Sequence, residues 1–324
     1  MSDDSLSFWV TAPGRGEIRR HPFAAPGKDE LIVQARFSGV SRGTELLVFK
    51  GNVPASEYGR MRAPFQEGDF PAPVKYGYCM VGRVIQGSVE HEGRDVFCLH
   101  PHQDRFFIPA SAVFHVPRDV PAGRAILAAN IETALNGLWD AGVLPGDRIA
   151  VVGAGSVGCL VAWLAARIPG CDVELIDTNA HRAAIASALG VSFALPAAAH
   201  AEADVVIHAS GTQEGIALAL RLAAYEATVV ELSWYGDRSI SLPLGEVFHS
   251  RRLVLKSSQV GAVAQARRAR RTLQSRLQLA LSLLNDDALD TLINSEGNFL
   301  DLPETMKQLA SGPSDTIMHR VRYD

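Results

Sequence analysis

Cysteine is scarce in this chain. There are four in 324 residues, Cys79, Cys98, Cys159 and Cys171, and no two form a C-x-x-C pair. That excludes a disulfide framework and fits a reducing compartment. Cys159 and Cys171 flank an apolar segment, where a small buried thiol is the ordinary reading. Neither sign of charge dominates: 31 basic residues face 35 acidic ones, for a net charge of −4. That balance does not suggest nucleic acid or anionic membrane as the main partner. No apolar run approaches the length of a membrane span. The start, Met1-Ser2-Asp3-Asp4, lacks the basic and apolar regions of a signal peptide, so a cytoplasmic location is expected. Internal repeats and low-complexity segments are absent as well. What remains is an ordinary soluble composition, 47% hydrophobic and 20% charged, in a chain long enough for two domains.

The most informative stretch is Ile149-Ala150-Val151-Val152-Gly153-Ala154-Gly155-Ser156-Val157-Gly158. An apolar run reads as a buried strand, and three glycines follow at G-x-G-x-x-G spacing. An apolar helix over Val157–Ile168 comes next, stopped by Pro169-Gly170. Gly153 permits a tight turn, Gly155 leaves bare backbone for a pyrophosphate, and Gly158 lets helix and strand pack closely. The helix N-terminus offers unpaired N–H groups and a positive dipole end to phosphates. A second strand, Asp172–Ile176, ends in Asp177, 19 residues after Gly158. An acidic side chain there accepts hydrogen bonds from an adenosine ribose and repels a 2′-phosphate. NAD is accordingly the expected cofactor, held by Gly153, Gly155, Ser156, Val157, Gly158, Asp177 and Thr178. Arg182 is read as a solvated helix-face residue, with NADP the alternative should it accept a phosphate.

Residues 1 to about 120 read as short strands punctuated by Gly and Pro: Phe8–Val10, Leu31–Phe37, Cys79–Ile85, Asp95–Leu99 and Arg105–Pro109. This suggests a compact, barrel-like β domain. Phe49–Lys75 has little periodicity, and a loop that long is often functional. Leu127–Ala141 reads as a helix. After Asp177 come helix Ala180–Leu189, strand Asp204–Ala209, helix Glu214–Leu222, strand Thr228–Leu232 and a sixth strand at Leu253–Leu255. Such alternation indicates a doubly wound parallel sheet. The tail reads as a long helix Ala264–Leu284, a shorter one at Leu302–Leu309 and a strand at Ile317–Tyr323. In the second half, Ser210-Gly211-Thr212 ends a sheet strand at the edge where cofactors lie, so Ser210 and Gly211 join the expected cofactor contacts. Ser233-Trp234-Tyr235-Gly236, after the next strand, is expected to wall the nicotinamide.

A β-rich first domain, the segment Leu144-Pro145-Gly146-Asp147…Gly153-Ala154-Gly155-Ser156-Val157-Gly158 and a returning tail together resemble the medium-chain dehydrogenase/reductase superfamily. The likeness implies an α/β fold of two parts: a GroES-like β-rich catalytic domain (1–125 and 265–324) and a Rossmann NAD(P)-binding domain (126–264). It also implies a homodimer. Ser38-Gly39-Val40-Ser41-Arg42-Gly43-Thr44-Glu45 and Ser258-Gln259-Val260-Gly261 resemble, within the superfamily, the branch containing bacteriochlorophyllide a dehydrogenase. Zinc-type members carry a ligand cysteine before a Gly-Thr-Asp-like triplet and a Gly-His-Glu later. This chain has Ser41-Arg42 before Gly43-Thr44-Glu45, and reads Gly77-Tyr78-Cys79. Serine and tyrosine are poor zinc ligands, so no zinc is expected. A rearranged site from Cys79, Cys98, His100, His102 and Glu132 is the alternative, though its spacings match no standard pattern.

Hydride transfer to a carbonyl develops negative charge on oxygen, which must be protonated or polarised. Tyr78 stands where zinc members have their cleft-facing histidine, and a phenol there can donate the proton. Thr44 stands at the position of a relaying hydroxyl, with a helix cap as its other reading. His102, in Pro101-His102-Gln103-Asp104, is an acid/base candidate that Asp104 would orient. Arg42 and Glu45 are expected to pair with each other. Glu132 either faces the nicotinamide or caps a helix. Arg267, Arg268 and Arg271 share one face if helical, with Arg276 beyond; a solvated stripe is the first reading and an anionic substrate the second.

The sequence therefore points to a zinc-independent NAD(P)-dependent oxidoreductase acting on a small molecule and interconverting an alcohol with a ketone or aldehyde. A quinone or enone reductase of the same superfamily is one alternative, and a non-catalytic nucleotide-binding protein is the other.

Overall fold

The computed structural model describes residues 4–23, 26–27, 29–312 and 314–323; Met1-Ser2-Asp3 of the acidic start lies outside them. The chain divides into two compact units, one of Met1–Ala129 with Leu281–Asp324, the other of Asn130–Ala280.

The second unit is built on six parallel strands. Their order is Ser192–Ala194, Asp172–Ile176, Arg148–Val152, Ala203–His208, Ala223–Glu231 and Val254–Ser257. Val151, Leu175, Val206, Ile207 and Val229 are wholly buried, as a sheet covered on both faces requires. Its first strand in sequence, Arg148–Val152, is central. The chain leaves it for Asp172–Ile176 on one side and later returns to Ala203–His208 on the other. That reversal opens a crevice at the carboxyl ends of the strands, the place where ligands bind in such sheets. The crossovers are helices Ser156–Ala165, Arg182–Leu189 and Gln213–Leu222, the last capped by Thr212, whose hydroxyl accepts from the Gly215 N–H.

The first unit holds two sheets. A seven-stranded one runs Ser295–Asn298, His319–Arg322, Glu30–Val40, Met80–Gln86, Asp95–Cys98 and Val113–His115, with Arg105–Pro109 also pairing with Glu30–Val40. A four-stranded one joins Arg15–Pro22, Asp4–Ala12, Val74–Lys75 and Glu67–Gly68. Val33, Met80, Val84, Val96 and Ile108 form the apolar core of the larger sheet. The C-terminal segment is fastened to the rest by Arg124, a buried guanidinium that donates to both carboxylate oxygens of Asp290 at 2.7 Å and to Asp287 at 2.6 Å.

The tail differs from the expected single helix over Ala264–Leu284. Residues 265–270 form turns, and the helix runs Leu273–Ser282. Thr272 starts it anew: its Oγ1 accepts from the Ser275 N–H at 3.1 Å while Ser275 Oγ accepts from the Thr272 N–H at 2.9 Å, a reciprocal cap. The second unit also reaches Ala280 instead of ending at 264. The reason is Arg276, which is almost wholly buried within that unit.

Candidate functional site

The three glycines of the turn meet different surroundings. A side chain at Gly153, where φ is +109°, would stand 2.6 Å from the Ser210 N, and one at Gly158 would collide with the Gly153 carbonyl oxygen. Both positions demand glycine for packing. Gly155 has nothing within 4 Å of where a Cβ would lie, and it forms the N-cap of helix Ser156–Ala165. Bare backbone there faces open space at a helix N-terminus, which suits an anion. Ser156 and Val157, half-buried, begin that helix.

Asp177 closes strand Asp172–Ile176 beside the same turn. Its Oδ2 accepts from the Ala154 N–H at 2.7 Å and its Oδ1 from the Asn179 N–H at 2.9 Å. Thr178 beside it is exposed. Arg182 differs from the solvated reading: it is 7% exposed. It stands near enough to Cys159 that its charge counters the burial that pushes the Cys159 thiol up to about 12, while Asp177 adds to that rise.

Ser210 and Gly211 follow strand Ala203–His208. Ser210 Oγ lies 2.6 Å from His208 Nε2 and 2.9 Å from Thr212 Oγ1, and the Gly211 N–H donates to Ser233 Oγ at 3.0 Å. Behind them, His208 Nδ1 is 2.8 Å from Glu231 Oε2, and the Tyr235 hydroxyl donates to that same oxygen at 2.8 Å. Of this group the sequence reading picked out Ser210, Gly211, Ser233 and Tyr235 and missed His208 and Glu231. Each of the two is the last residue of its strand, which was the available signal.

Glu132 neither faces open space nor caps a helix. It is buried, with its Oε1 accepting from Arg276 Nε at 3.0 Å. Arg276 also donates to Asn136 Oδ1 at 2.5 Å and to the carbonyls of Ala262 and Val260. It is a structural cation and leaves the arginine run: Arg267, Arg268, Arg270 and Arg271 are exposed, before the helix starts instead of on one helix face.

In the first unit, Glu45 is the focus of a buried polar group. Its Oε1 accepts from the Ser41 N–H at 2.8 Å and its Oε2 lies 2.8 Å from His102 Nε2. His102 Nδ1 in turn sits 2.7 Å from Ser38 Oγ, which is 2.9 Å from the Tyr323 hydroxyl. Asp104 does not orient His102; it accepts instead from Ser5 Oγ and the Leu6 N–H, both at 2.8 Å. Nor do Arg42 and Glu45 pair, since Arg42 donates to the carbonyls of Ser314 and Thr316 at 3.2 and 2.6 Å. Thr44 is half-buried inside the first turn of helix Arg42–Phe49, whose N-cap is Ser41. Tyr78 is half-buried and bonds the Ser41 side chain. Its crowded setting pushes the phenol well above its ordinary value, and negative charge at Cys79 and Glu45 adds to the rise. The phenol is thus held protonated.

Among the described residues, no group of three or more His, Cys, Asp or Glu side chains could hold a metal ion. The alternative site is not assembled: His102 is bound to Glu45 and Ser38, Glu132 to Arg276, and His100 is stacked on Phe106 at 3.8 Å. At the two motif positions of zinc members stand Ser41-Arg42, with the Arg42 guanidinium bound to carbonyls, and the phenol of Tyr78. Neither suits Zn²⁺.

Comparison with known proteins places this arrangement. A family profile described as ketopantoate reductase PanE/ApbA matches residues 149–220, the strands and helices around the glycine turn. D-guloside 3-dehydrogenase of Escherichia coli K12 is 26% identical over 270 residues, 74% of this chain and 77% of that protein. L-idonate 5-dehydrogenase of E. coli superposes with a TM-score of 0.80 at 15% identity, covering 98% of each chain. These similarities support the medium-chain dehydrogenase/reductase superfamily. Acetophenone reductase of Geotrichum candidum, solved in complex with NAD, shares the superfamily fold with a TM-score of 0.79 at 16% identity, over 99% of this chain and 98% of that one. Among the described residues, no helix is long and apolar enough to cross a membrane.

Proposed function

We propose that this medium-chain dehydrogenase/reductase interconverts an alcohol and a ketone or aldehyde with a nicotinamide dinucleotide and without zinc. The observation that carries the reading is the open backbone at Gly155, set at a helix N-terminus between two glycines that packing requires, with the Asp177 carboxylate beside it. Gly153, Gly155, Ser156, Val157 and Gly158 would hold the pyrophosphate, and Asp177 and Thr178 the adenosine ribose, favouring NAD over NADP. Ser210 and Gly211 would contact a ribose. When bound, the nicotinamide supplies or takes the hydride.

The proton is the protein's task. Tyr78, kept neutral by its surroundings, would donate it to the carbonyl oxygen in the reductive direction. Thr44 is the second hydroxyl candidate. His102 is buried behind Glu45, with its ring nitrogens on Glu45 and Ser38, and would position that carboxylate without meeting substrate directly. The name of the guloside dehydrogenase supports a secondary alcohol of the polyhydroxy class as substrate. The exposed arginines at 267, 268, 270 and 271 leave room for an anionic group on it. We place the protein in the cytoplasm as a homodimer, with neither nucleic acid nor membrane as partner. The test is turnover of secondary alcohols with NAD by the wild type and by Tyr78→Phe. Loss of alcohol oxidation in the variant supports the reading, and full activity in it refutes the proton assignment. Activity confined to quinones, and retained in the variant, would favour a quinone reductase.

A further inference from the structure

His208 is wholly buried at the end of its strand, and nothing in the reaction above employs it. Its Nδ1 lies 2.9 and 2.8 Å from the two oxygens of Glu231, and its Nε2 lies 2.6 Å from Ser210 Oγ. Residues 208 and 231 are register partners on adjacent parallel strands, so the backbone itself sets the two side chains together. Glu231 is further gripped by the Ser233 N–H at 2.6 Å and the Tyr235 hydroxyl at 2.8 Å. Burial disfavours its charge, but the His208 contact and these donors hold the carboxyl below its ordinary value. An ionised carboxylate only accepts, so His208 Nδ1 donates to Glu231, and Nε2 is the ring nitrogen left to meet Ser210. The Ser210 hydroxyl is thereby held in place, between the ring and the Thr212 hydroxyl 2.9 Å away.

A serine, a histidine and a carboxylate in this order also describe a hydrolytic triad. The amides argue against that use. The Gly211 N–H is spent on Ser233 Oγ, and the Thr212 N–H turns back to Ser210 Oγ at 3.3 Å, so neither amide is left for an oxyanion. The position of Ser210 argues for another use. Its backbone lies against Gly153, the first glycine of the nucleotide turn. Each phosphate of a dinucleotide is esterified to a ribose, so a fixed hydroxyl beside the pyrophosphate turn is within reach of a ribose hydroxyl.

We propose that His208 and Glu231 are a buried positioning pair that aims the Ser210 hydroxyl at a ribose hydroxyl of the bound dinucleotide. This rests on the nucleotide reading given under Proposed function. The experiment is a double-mutant cycle on the full chain: fluorescence titration of NADH into wild type, Ser210→Ala, His208→Gln and the double variant, with thermal unfolding of each. One lost hydrogen bond weakens binding about tenfold. Ser210→Ala and His208→Gln should each do so, and the double variant should bind no worse than either single one, because His208 acts only through Ser210. A purely structural histidine would instead multiply the losses to about a hundredfold, which overturns the proposal. So would unchanged NADH affinity in Ser210→Ala. Should His208→Gln not fold, Glu231→Gln takes its place in the cycle under the same criteria. AMP titrated in parallel distinguishes the two sugars: Ser210→Ala weakens AMP if the contact is to the adenosine ribose and spares it if the contact is to the nicotinamide ribose. Wild-type protein that binds neither NADH nor NADPH overturns the nucleotide reading itself, an outcome separate from binding that ignores Ser210.

Discussion

Glu45 Oε2 lies 2.8 Å from His102 Nε2, and the two side chains are 3% and 1% exposed. Each is the other's main compensation for leaving water, so removing one strands its partner. Glu45→Ala should cost about 1–3 kcal/mol of stability. Glu45→Gln, which keeps an acceptor in place, should cost clearly less. Urea unfolding of both variants checks this, and equal losses would show that volume and not pairing is at stake.

The glycine turn yields a contrast between neighbours. Gly158→Ala places a methyl on the Gly153 carbonyl, so the unit should unfold at lower temperature and lose coenzyme binding with it. Gly155→Ala meets nothing in the free protein. Its melting temperature should stay within a degree or two, as for an unstrained surface change, while NADH affinity falls at least tenfold. A Gly155→Ala variant that binds NADH normally would remove the pyrophosphate from that spot.

These glycines were legible in the sequence because a turn is local: strand, glycines and helix lie within twenty consecutive residues. So were five of the six strands of the parallel sheet, as apolar runs; Ser192–Ala194, at the sheet's edge and only three residues long, was not. The buried polar pairs were not legible. Glu45 and His102 stand 57 positions apart and Glu132 and Arg276 144, and no periodicity links residues across such gaps. Nearest-neighbour pairing, such as Arg42 with Glu45 or His102 with Asp104, was the only guess that spacing permits, and in both cases the fold chose more distant partners. The arginine run failed as a helix face for a local reason instead, the fresh cap at Thr272.

Arg276 and Glu132 offer a second stability test. Arg276→Met leaves Glu132 buried without its cation and should cost about 3–5 kcal/mol. The double change Arg276→Met with Glu132→Leu should recover much of that loss, because apolar residues of similar volume commonly replace a buried pair without penalty. Chemical denaturation of the three proteins decides it.

Two histidines set a pH dependence of folding. Burial, aided by the Lys75 charge, lowers His100 to about 3, and burial lowers His319 to about 4. Both are neutral when folded, whereas an unfolded histidine takes up a proton near pH 6.5. The unfolded state therefore binds more protons between those limits. The contribution is fully present above about pH 6.5 and declines as pH falls toward about 4, by about 1.4 kcal/mol per pH unit for each histidine. His100→Phe, which can preserve the stack on Phe106, should flatten the slope of stability between pH 6 and 4. An unchanged slope would exclude His100 as its source.

Metal chemistry is testable without mutation. The guanidinium of Arg42 and the phenol of Tyr78 do not suit zinc, so exhaustive treatment with a chelator should leave the rate of alcohol oxidation unchanged. Loss of turnover restored by added zinc would contradict the metal-independent mechanism.

The most direct test is titration of the purified protein with NADH and NADPH, followed by fluorescence, for wild type and Asp177→Ala. Saturable NADH binding, tighter than that of NADPH, with the preference lost in the variant, is the predicted result. Failure of both coenzymes to bind the wild type would contradict the account at its base.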